Sequence, residues 1–441
     1  MRLWPTGGLW RHPDFLKLWS AETVSQFGSQ ISLLALPLVA IDVLHATAFQ
    51  VAALSVVEFL PFLLVSLPAG VWVDRLRRRP ILVLGDLARA LLLVSIPIAH
   101  AFDALTLAQL YGVGFFVGIS TVFFDVAYQS YLPSLVERRQ LVDGNSKLEI
   151  SRSGAQVGGP GVAGLLIDWL TAPAAVLLDA VSFVGSALFL FGIRKHETPP
   201  QGERAGPRRR MRDDLREGLR YVIKHPYLKN IAASTATFNF FGMLQFAVLI
   251  VFARRSLHLS PKAIGLAFTF SNVGPLIAAF SANRISSRFG VGPTIIGASM
   301  LGGPMFLLVP FAPHGNAALA VLAPAFLVGG FTGVVYNVTQ LSLRQAMTPE
   351  RIQGRMNSVM RFIVWGTIPL GALTGGVLAS AVGLKTALIS GGIGATFSFL
   401  PVLLSPVRGV REMPDLVEEE EPPPEPLVTD AAAVTVQHPG T

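Results

Sequence analysis

The chain has 441 residues, of which 51% are hydrophobic and 14% charged, with a mean hydropathy of +0.55 and no cysteine. That balance excludes an ordinary soluble domain, and the absence of thiols excludes a disulfide framework, a thiolate nucleophile and a cysteine-held metal. The net charge of +8 raises nucleic acid as a partner, yet the basic residues are spread over the ends of apolar segments rather than gathered on one aromatic-bearing surface, so none is expected.

Twelve apolar segments are predicted, at 15–43, 51–73, 81–102, 105–128, 149–170, 172–193, 228–252, 262–283, 292–313, 317–340, 358–381 and 384–405. Each is near the ~20 apolar residues that a helix needs to cross ~30 Å of hydrocarbon. Of the 35 Lys and Arg residues, 30 fall in alternate gaps or at their edges; Arg254, Arg255, Lys262 and Lys385 fall in the intervening gaps or at their edges, and Arg89 lies well inside a segment. Because Lys and Arg near segment ends resist translocation, the basic side is expected to be cytoplasmic. The fold class is therefore an all-α membrane protein with twelve transmembrane helices and both termini inside, multi-pass in the cell membrane, with the bilayer as its constant partner.

Residues 1–14 read as a cytoplasmic N-terminus without a short apolar core and cleavage site, so the first segment is expected to remain as an uncleaved anchor. In that segment Glu22, Ser25, Ser29 and Ser32 share one helical stripe, a wet face expected to turn toward a cavity, with Phe27 nearby. Embedded carboxylates are costly and usually face a cavity or a partner, so Glu22 is a candidate proton carrier. Glu58 in segment two is the first candidate. It precedes Asp74 by 16 residues, roughly 24 Å at ~1.5 Å per residue, and its alternative is a fixed, hydrogen-bonded carboxyl at a bend near Pro61. The following gap reads GVWVDRLRRRP, with Gly70, Asp74, Arg75, Arg78 and Arg79. There the Asp74 carboxylate can face the N-terminus of a neighbouring helix, and Gly70 permits close backbone approach. Asp86 and Arg89, three residues apart, are spaced to neutralise each other. Asp125, with Tyr128 and Gln129 near the basic end of segment four, is a third candidate for proton coupling, with a gate role or plain solvent exposure as alternatives. Segment five carries Gly154, Gly158, Gly159, Pro160 and Gly164 at near-helical spacing, suited to tight packing around a proline bend.

Residues 194–227 form a linker: its QGERAGPRRR stretch is polar, and in RDDLREGLRYVIKH the residues Leu215, Leu219, Val222 and Ile223 recur at helical spacing, predicting an interfacial helix. Between Gly218 and Arg411 the only acid is Glu350, so any proton carrier belongs to the first half. The second half instead offers Asn239, Gln245, Asn272, Asn337 and Gln340, and with Trp365, Phe238, Phe241 and Phe268 these suit a largely apolar cavity for a bulky amphipathic solute. Residues 406–441 read as an acidic, Pro-rich disordered tail. No H-E-x-x-H, G-x-S-x-G or phosphate-loop pattern occurs, so an enzyme is not expected.

A repeat organises the chain. Arg139, Asn145, Ser146, Gly154, Gly159 and Gly164 recur 212 residues later as Arg351, Asn357, Ser358, Gly366, Gly371 and Gly376, and His12-Pro13 recurs as His225-Pro226. Two parallel six-helix halves, 15–193 and 228–405, follow. This architecture, with GVWVDRLRRRP in the gap after segment two, resembles the major facilitator superfamily. EFLPFLLVSLPAGVWVDRLRRRP, DGNS, GGPGVAG and REGLRYVIKHP are similar to its drug and siderophore exporter branch, which includes enterobactin and macrolide exporters; the likeness covers residues 12–408. The resemblance implies a pseudo-twofold bundle, and an Asp74 latch against the Met356–Val359 region of helix eleven that shuts the cytoplasmic side. It also implies an antiporter-like glycine motif on helix five and proton-driven export of a drug-like or siderophore-like molecule. No cofactor beyond a proton gradient and no metal are expected, and the chain is expected to be a monomer. An importer or a lysophospholipid/lipid flippase is the alternative within transport.

Overall fold

The computed structural model describes residues 8–73, 76–137, 140–195 and 211–414, and every regular element among them is helical. The first half contains α1 (Pro13–Leu38), which runs into a π-helical turn (Val39–Val43), α2 (Ala48–Leu64), α3 (Ser66–Val73), α4 (Arg78–Ala101), α5 (Leu107–Leu135), α6 (Leu141–Leu170) and α7 (Ala172–Phe191). After α8 (Met211–Lys224) come α9 (Leu228–Arg255), α10 (Pro261–Phe289), α11 (Val291–Leu308), α12 (Leu319–Ala346), α13 (Glu350–Val382), α14 (Leu384–Thr396) and α15 (Leu400–Leu403). Among the described residues, ten helices are individually long and apolar enough to cross a bilayer. The other two places in a twelve-helix bundle are taken by α2 with α3, interrupted at Val65 one turn after Pro61, and by α6, whose first half is polar.

Helices α6 and α13 begin eight residues before their predicted segments, at Leu141 and Glu350. Hydropathy registers only the stretch that lipid must cover, whereas the helix continues beyond it through polar turns; in α6 these are held by the Lys147–Asp143 ion pair and by Asn145 donating to the Leu141 carbonyl. The start of the linker, 196–210, and the acidic tail from residue 415 lie outside the described residues, as do Asp74 and Arg75.

Packing reproduces the repeat. α1 packs on α6 and α7, α4 on α5 and α7, and α2 on α5; in the second half α9 packs on α13 and α14, α11 on α12 and α14, and α10 on α12. Exchanging α1, α2, α4, α5, α6 and α7 for α9, α10, α11, α12, α13 and α14 maps one set onto the other. The same exchange interconverts the two largest contacts between the halves, α6 with α10 and α2 with α13. Even the loops repeat: His45 and His258 both adopt left-handed backbone, with φ of 51° and 56°, and Thr47 and Ser260 cap the helices that follow.

Glycine makes the first of these contacts possible. A β-carbon on Gly265 would lie 2.2 Å from the Pro160 carbonyl oxygen, and one on Gly164 would lie 2.5 Å from that of Pro261. In α6 the predicted stripe therefore divides: Gly164 serves the junction between halves, Gly159 abuts Gln30 of α1, and Gly154 and Gly158 face open space.

The apolar core is asymmetric along the bundle. On the side away from the basic loops one cluster unites both halves, from Leu34–Ile41 and Leu54 to Val248–Ala253 and Ala263. On the basic side there are two clusters instead, one built only from residues 9–193 and one only from 222–407. The halves are joined at the non-basic end and parted at the basic end. Arg254 reinforces the closed end by donating through Nε to both carboxylate oxygens of Asp42 at 3.0 Å, and Arg255 donates to the Ala46 carbonyl at 2.8 Å.

Candidate transport pathway

The first half buries charge. Arg89 and Asp86 of α4 are 4% and 0% exposed and form an ion pair one turn apart. The guanidinium lies between two rings, 4.3 Å from the centroid of Phe124 on α5 and 4.2 Å from that of Phe183 on α7, an arrangement that favours a cation when water is excluded. Glu22 (α1), Asp125 (α5) and Asp179 (α7) are all within electrostatic reach of Arg89. Glu22 accepts a hydrogen bond from Gln26 at 2.7 Å, and its second oxygen is buried without a hydrogen-bond partner among the described residues. Asp179 is buried and accepts from Ser32 and, at 3.1 Å, from Ser182. The stripe expected to wet a central cavity thus turns Ser32 and Glu22 toward α7 and α4, while Ser29 is half-buried and Phe27 exposed. Arg89 brings a guanidinium to the face of α5, a helix that has no basic residue of its own between Ala90 and Glu137.

Glu58 stands apart from this cluster. It is half-buried against α5, where a β-carbon on Gly114 would lie 3.0 Å from its Cγ. Its carboxyl takes no hydrogen bond or ion pair among the described residues. The next residue, Phe59, meets Trp365 of α13 with ring centroids 6.3 Å apart, so Glu58 borders the junction between halves.

The second half holds a cavity of about 60 Å³ between α9, α11 and α12, bordered by Thr235, Phe238, Asn239, Thr332, Tyr336 and Asn337. All are neutral, and the Tyr336 and Thr235 hydroxyls are 2.6 Å apart. Of the predicted cavity residues, Asn239 and Asn337 meet here. Asn239 also donates to the Val364 carbonyl, and Asn272 bonds within its own helix to Phe268. Gln245 is buried and donates to the carbonyls of Phe306 and Leu388, tying α9 to α11 and α14. Gln340 is also buried, and accepts from Arg344 at 3.2 Å. Trp365 is 43% exposed, beneath the guanidinium of Arg361.

At the basic end, a β-carbon on Gly70 would meet nothing within 4 Å. Arg78 opens α4, and Arg79 donates to the Leu190 carbonyl at 3.1 Å and to that of Phe191, where the negative end of α7 favours a cation. Met356 and Val359, the expected seat of Asp74, are buried in the second half's own cluster with α8 packed over them. Two buried groups escaped the sequence reading. Asp179 carried a usable signal, an acid inside an apolar segment with Ser182 three residues on. Arg344 did not, since it reads as a loop arginine.

A twelve-helix bundle in two pseudo-equivalent halves, parted at one end and lined by buried polar groups, defines a multi-pass membrane transporter rather than an enzyme. The family model described as "Transmembrane secretion effector", within the major facilitator superfamily, matches residues 8–436, and the chain belongs to that family. It is 26% identical over 394 residues to the multidrug efflux pump Tap of Mycolicibacterium fortuitum, covering 86% of this chain and 92% of the pump. It superposes on the inward-facing structure of a bacterial homologue of the iron transporter ferroportin with a TM-score of 0.72, at 18% identity, over 90% of this chain and 99% of that one. Against the outward-facing structure of such a homologue the TM-score is 0.56 at 17% identity, over 89% and 98% of the two chains. The chain is an efflux transporter of the major facilitator type.

Proposed function

We propose that the chain exports a drug-like, siderophore-like or other amphipathic small molecule by alternating access in exchange for protons, as a monomer in the cell membrane with both termini in the cytoplasm. The observation that carries this reading is the crowding of Glu22, Asp86, Asp125 and Asp179 around the buried Arg89. Four ionised carboxylates around one guanidinium would leave excess negative charge in a poorly solvated interior, which is costly enough that the group takes up protons instead. Loading and release of those protons would bias the packing of α1, α4, α5 and α7. Glu58, half-buried beside the junction, is a second acid that can report on rocking of the halves. The neutral cavity of the second half, with hydroxyls, amides and Phe238, suits an amphipathic solute.

Under the proposed orientation, the parted basic end opens to the cytoplasm, where an exporter collects its cargo. Retention of a fluorescent dye in cells with and without the chain, and with Glu22→Gln and Glu58→Gln, tests this. Lower retention with the wild type and restored retention with Glu22→Gln are expected; unchanged retention across a broad dye panel counts against export. In reconstituted vesicles an inward proton gradient would make an importer accumulate substrate, and an exporter of the same orientation would not.

A further inference from the structure

Helix α8 has three distinct sides. One is fixed to the second half: a β-carbon on Gly218 would lie 2.9 Å from the Arg355 carbonyl oxygen, Tyr221 donates to the Met347 carbonyl at 3.2 Å, Val222 is 1% exposed, and Glu217 pairs with Arg355 at 2.6 Å. On the opposite side Leu219 and Ile223, one turn apart, are 40% and 56% exposed. Beside them Arg216, Arg220 and Lys224 form an exposed basic row on successive turns. Arg220 and Lys224, with Tyr221, His225 and Ile352, border an open pocket of about 420 Å³ at the start of α13.

What lies opposite these sides follows from α13. Phe362, Leu370 and Val377 are 67%, 58% and 53% exposed, and they continue the helical face that begins at Arg355 and Val359. Large exposed apolar side chains on a membrane-spanning helix mark its lipid face. α8 covers the basic end of that same face, where hydrocarbon gives way to headgroups. Its apolar pair is too small for a stable protein interface and is exposed on the side of α8 that turns away from α13. Basic residues beside a short apolar stripe are the pattern that engages anionic lipid at a membrane surface.

We propose that α8 is a docking site for anionic phospholipid of the leaflet on the basic side: Leu219 and Ile223 dip toward the acyl chains while Arg216, Arg220 and Lys224 take the headgroup phosphates. Because α8 is bonded to α13, which forms one of the two largest contacts between halves, the bound lipid loads a helix that must move if the halves rock. The assignment does not depend on the identity of the cargo or on the direction of transport.

The test uses the full-length, naturally cysteine-free chain with Ile223→Cys as its single thiol, labelled with bimane, in phosphatidylcholine vesicles with or without phosphatidylglycerol. Bromine on the acyl chains should quench the label, and unquenched bimane overturns the proposal. Native mass spectrometry of the wild type should retain phosphatidylglycerol over phosphatidylcholine. R216Q/R220Q/K224Q should lose that preference, at roughly fivefold per charge removed. Equal retention of the two lipids by the wild type, an unaltered preference in the triple variant, or displacement of the lipid by millimolar inorganic phosphate each overturns it. Should the triple variant fail to fold, the bimane readout and the lipid preference of the wild type decide the matter.

Discussion

The two halves share a backbone plan but differ in what they bury. Around the equivalent helices, the first half encloses Arg89 with Glu22, Asp86, Asp125 and Asp179, whereas the second encloses hydroxyls, amides and one arginine, Arg344, bonded to Gln340 and Asn357. Symmetry of packing therefore does not extend to electrostatics. A buried ionisable group can change its charge with proton supply and so can drive motion, while a neutral pocket can only bind. Under the proposed function, this division assigns gradient sensing to one half and an uncharged surface for the cargo to the other.

The largest expected effect breaks the charged half outright. Arg89→Met leaves several carboxylates without their cation, which should cost about 3–5 kcal/mol and lower both the melting temperature and the yield of folded protein. Arg89→Lys should fall between, since an ammonium keeps the charge but lacks the planar fork that pairs and stacks. Thermal unfolding in detergent measures both.

Next come the contacts between halves. Gly265→Val would drive side-chain atoms into the Pro160 carbonyl and should abolish efflux even where the protein still folds. Gly154→Ala, in open space, should change stability by no more than about 1 kcal/mol. Dye efflux rates and melting temperatures together distinguish the two.

A paired experiment sharpens the contrast in function. Glu22→Gln should flatten the dependence of efflux on the proton gradient, whereas Asn337→Ala should alter the apparent KM or the range of dyes and leave that dependence intact. Equal flattening by both variants would erase the proposed division of labour.

Smaller effects belong to the rims. Arg254 and Asp42 are each about one-third exposed, so Arg254→Gln should shift the balance toward opening of the non-basic end by only ~0.2–1 kcal/mol. Faster thiol labelling of a cysteine placed at Leu249 in the cysteine-free chain would register it. Smallest is His225 at the head of α9, whose Nδ1 accepts from the Leu228 amide at 3.4 Å and whose pKa is held below its ordinary 6.5 by burial. A depressed pKa means the unfolded chain binds the proton first, so this contribution is complete above pH 6.5 and is lost as pH falls through the folded value. The drop in melting temperature on acidification below pH 6.5 should be shallower in His225→Asn than in the wild type.

Much of the fold was legible because lipid imposes simple rules. Apolar runs and the sidedness of Lys and Arg mark the spans, and the offset of about 212 residues predicts the pseudo-equivalent halves that the packing displays. Helix ends were less legible: α6 and α13 extend through polar turns that hydropathy ignores. The site was legible in outline. The confinement of acids inside apolar segments to the first half is a sequence fact, and the Asp86–Arg89 spacing anticipates their ion pair. Which acids meet was not legible, because Glu22, Asp125 and Asp179 come from helices far apart in the chain. Nor was the fate of Gln245 and Gln340, whose amides look equally suited to a cavity or to bonds between helices until their neighbours are known.

By itself the sequence determined that this chain spans a membrane many times, as two copies of one plan with acids inside the apolar segments of only the first, because burial of backbone and charge in hydrocarbon constrains each segment separately. Only the tertiary structure decided that one arginine gathers four carboxylates, that the halves close at one end and part at the other, and that α8 lies across the lipid face of α13. Those outcomes depend on which helix faces meet, and contact across distant segments leaves no periodicity in the chain.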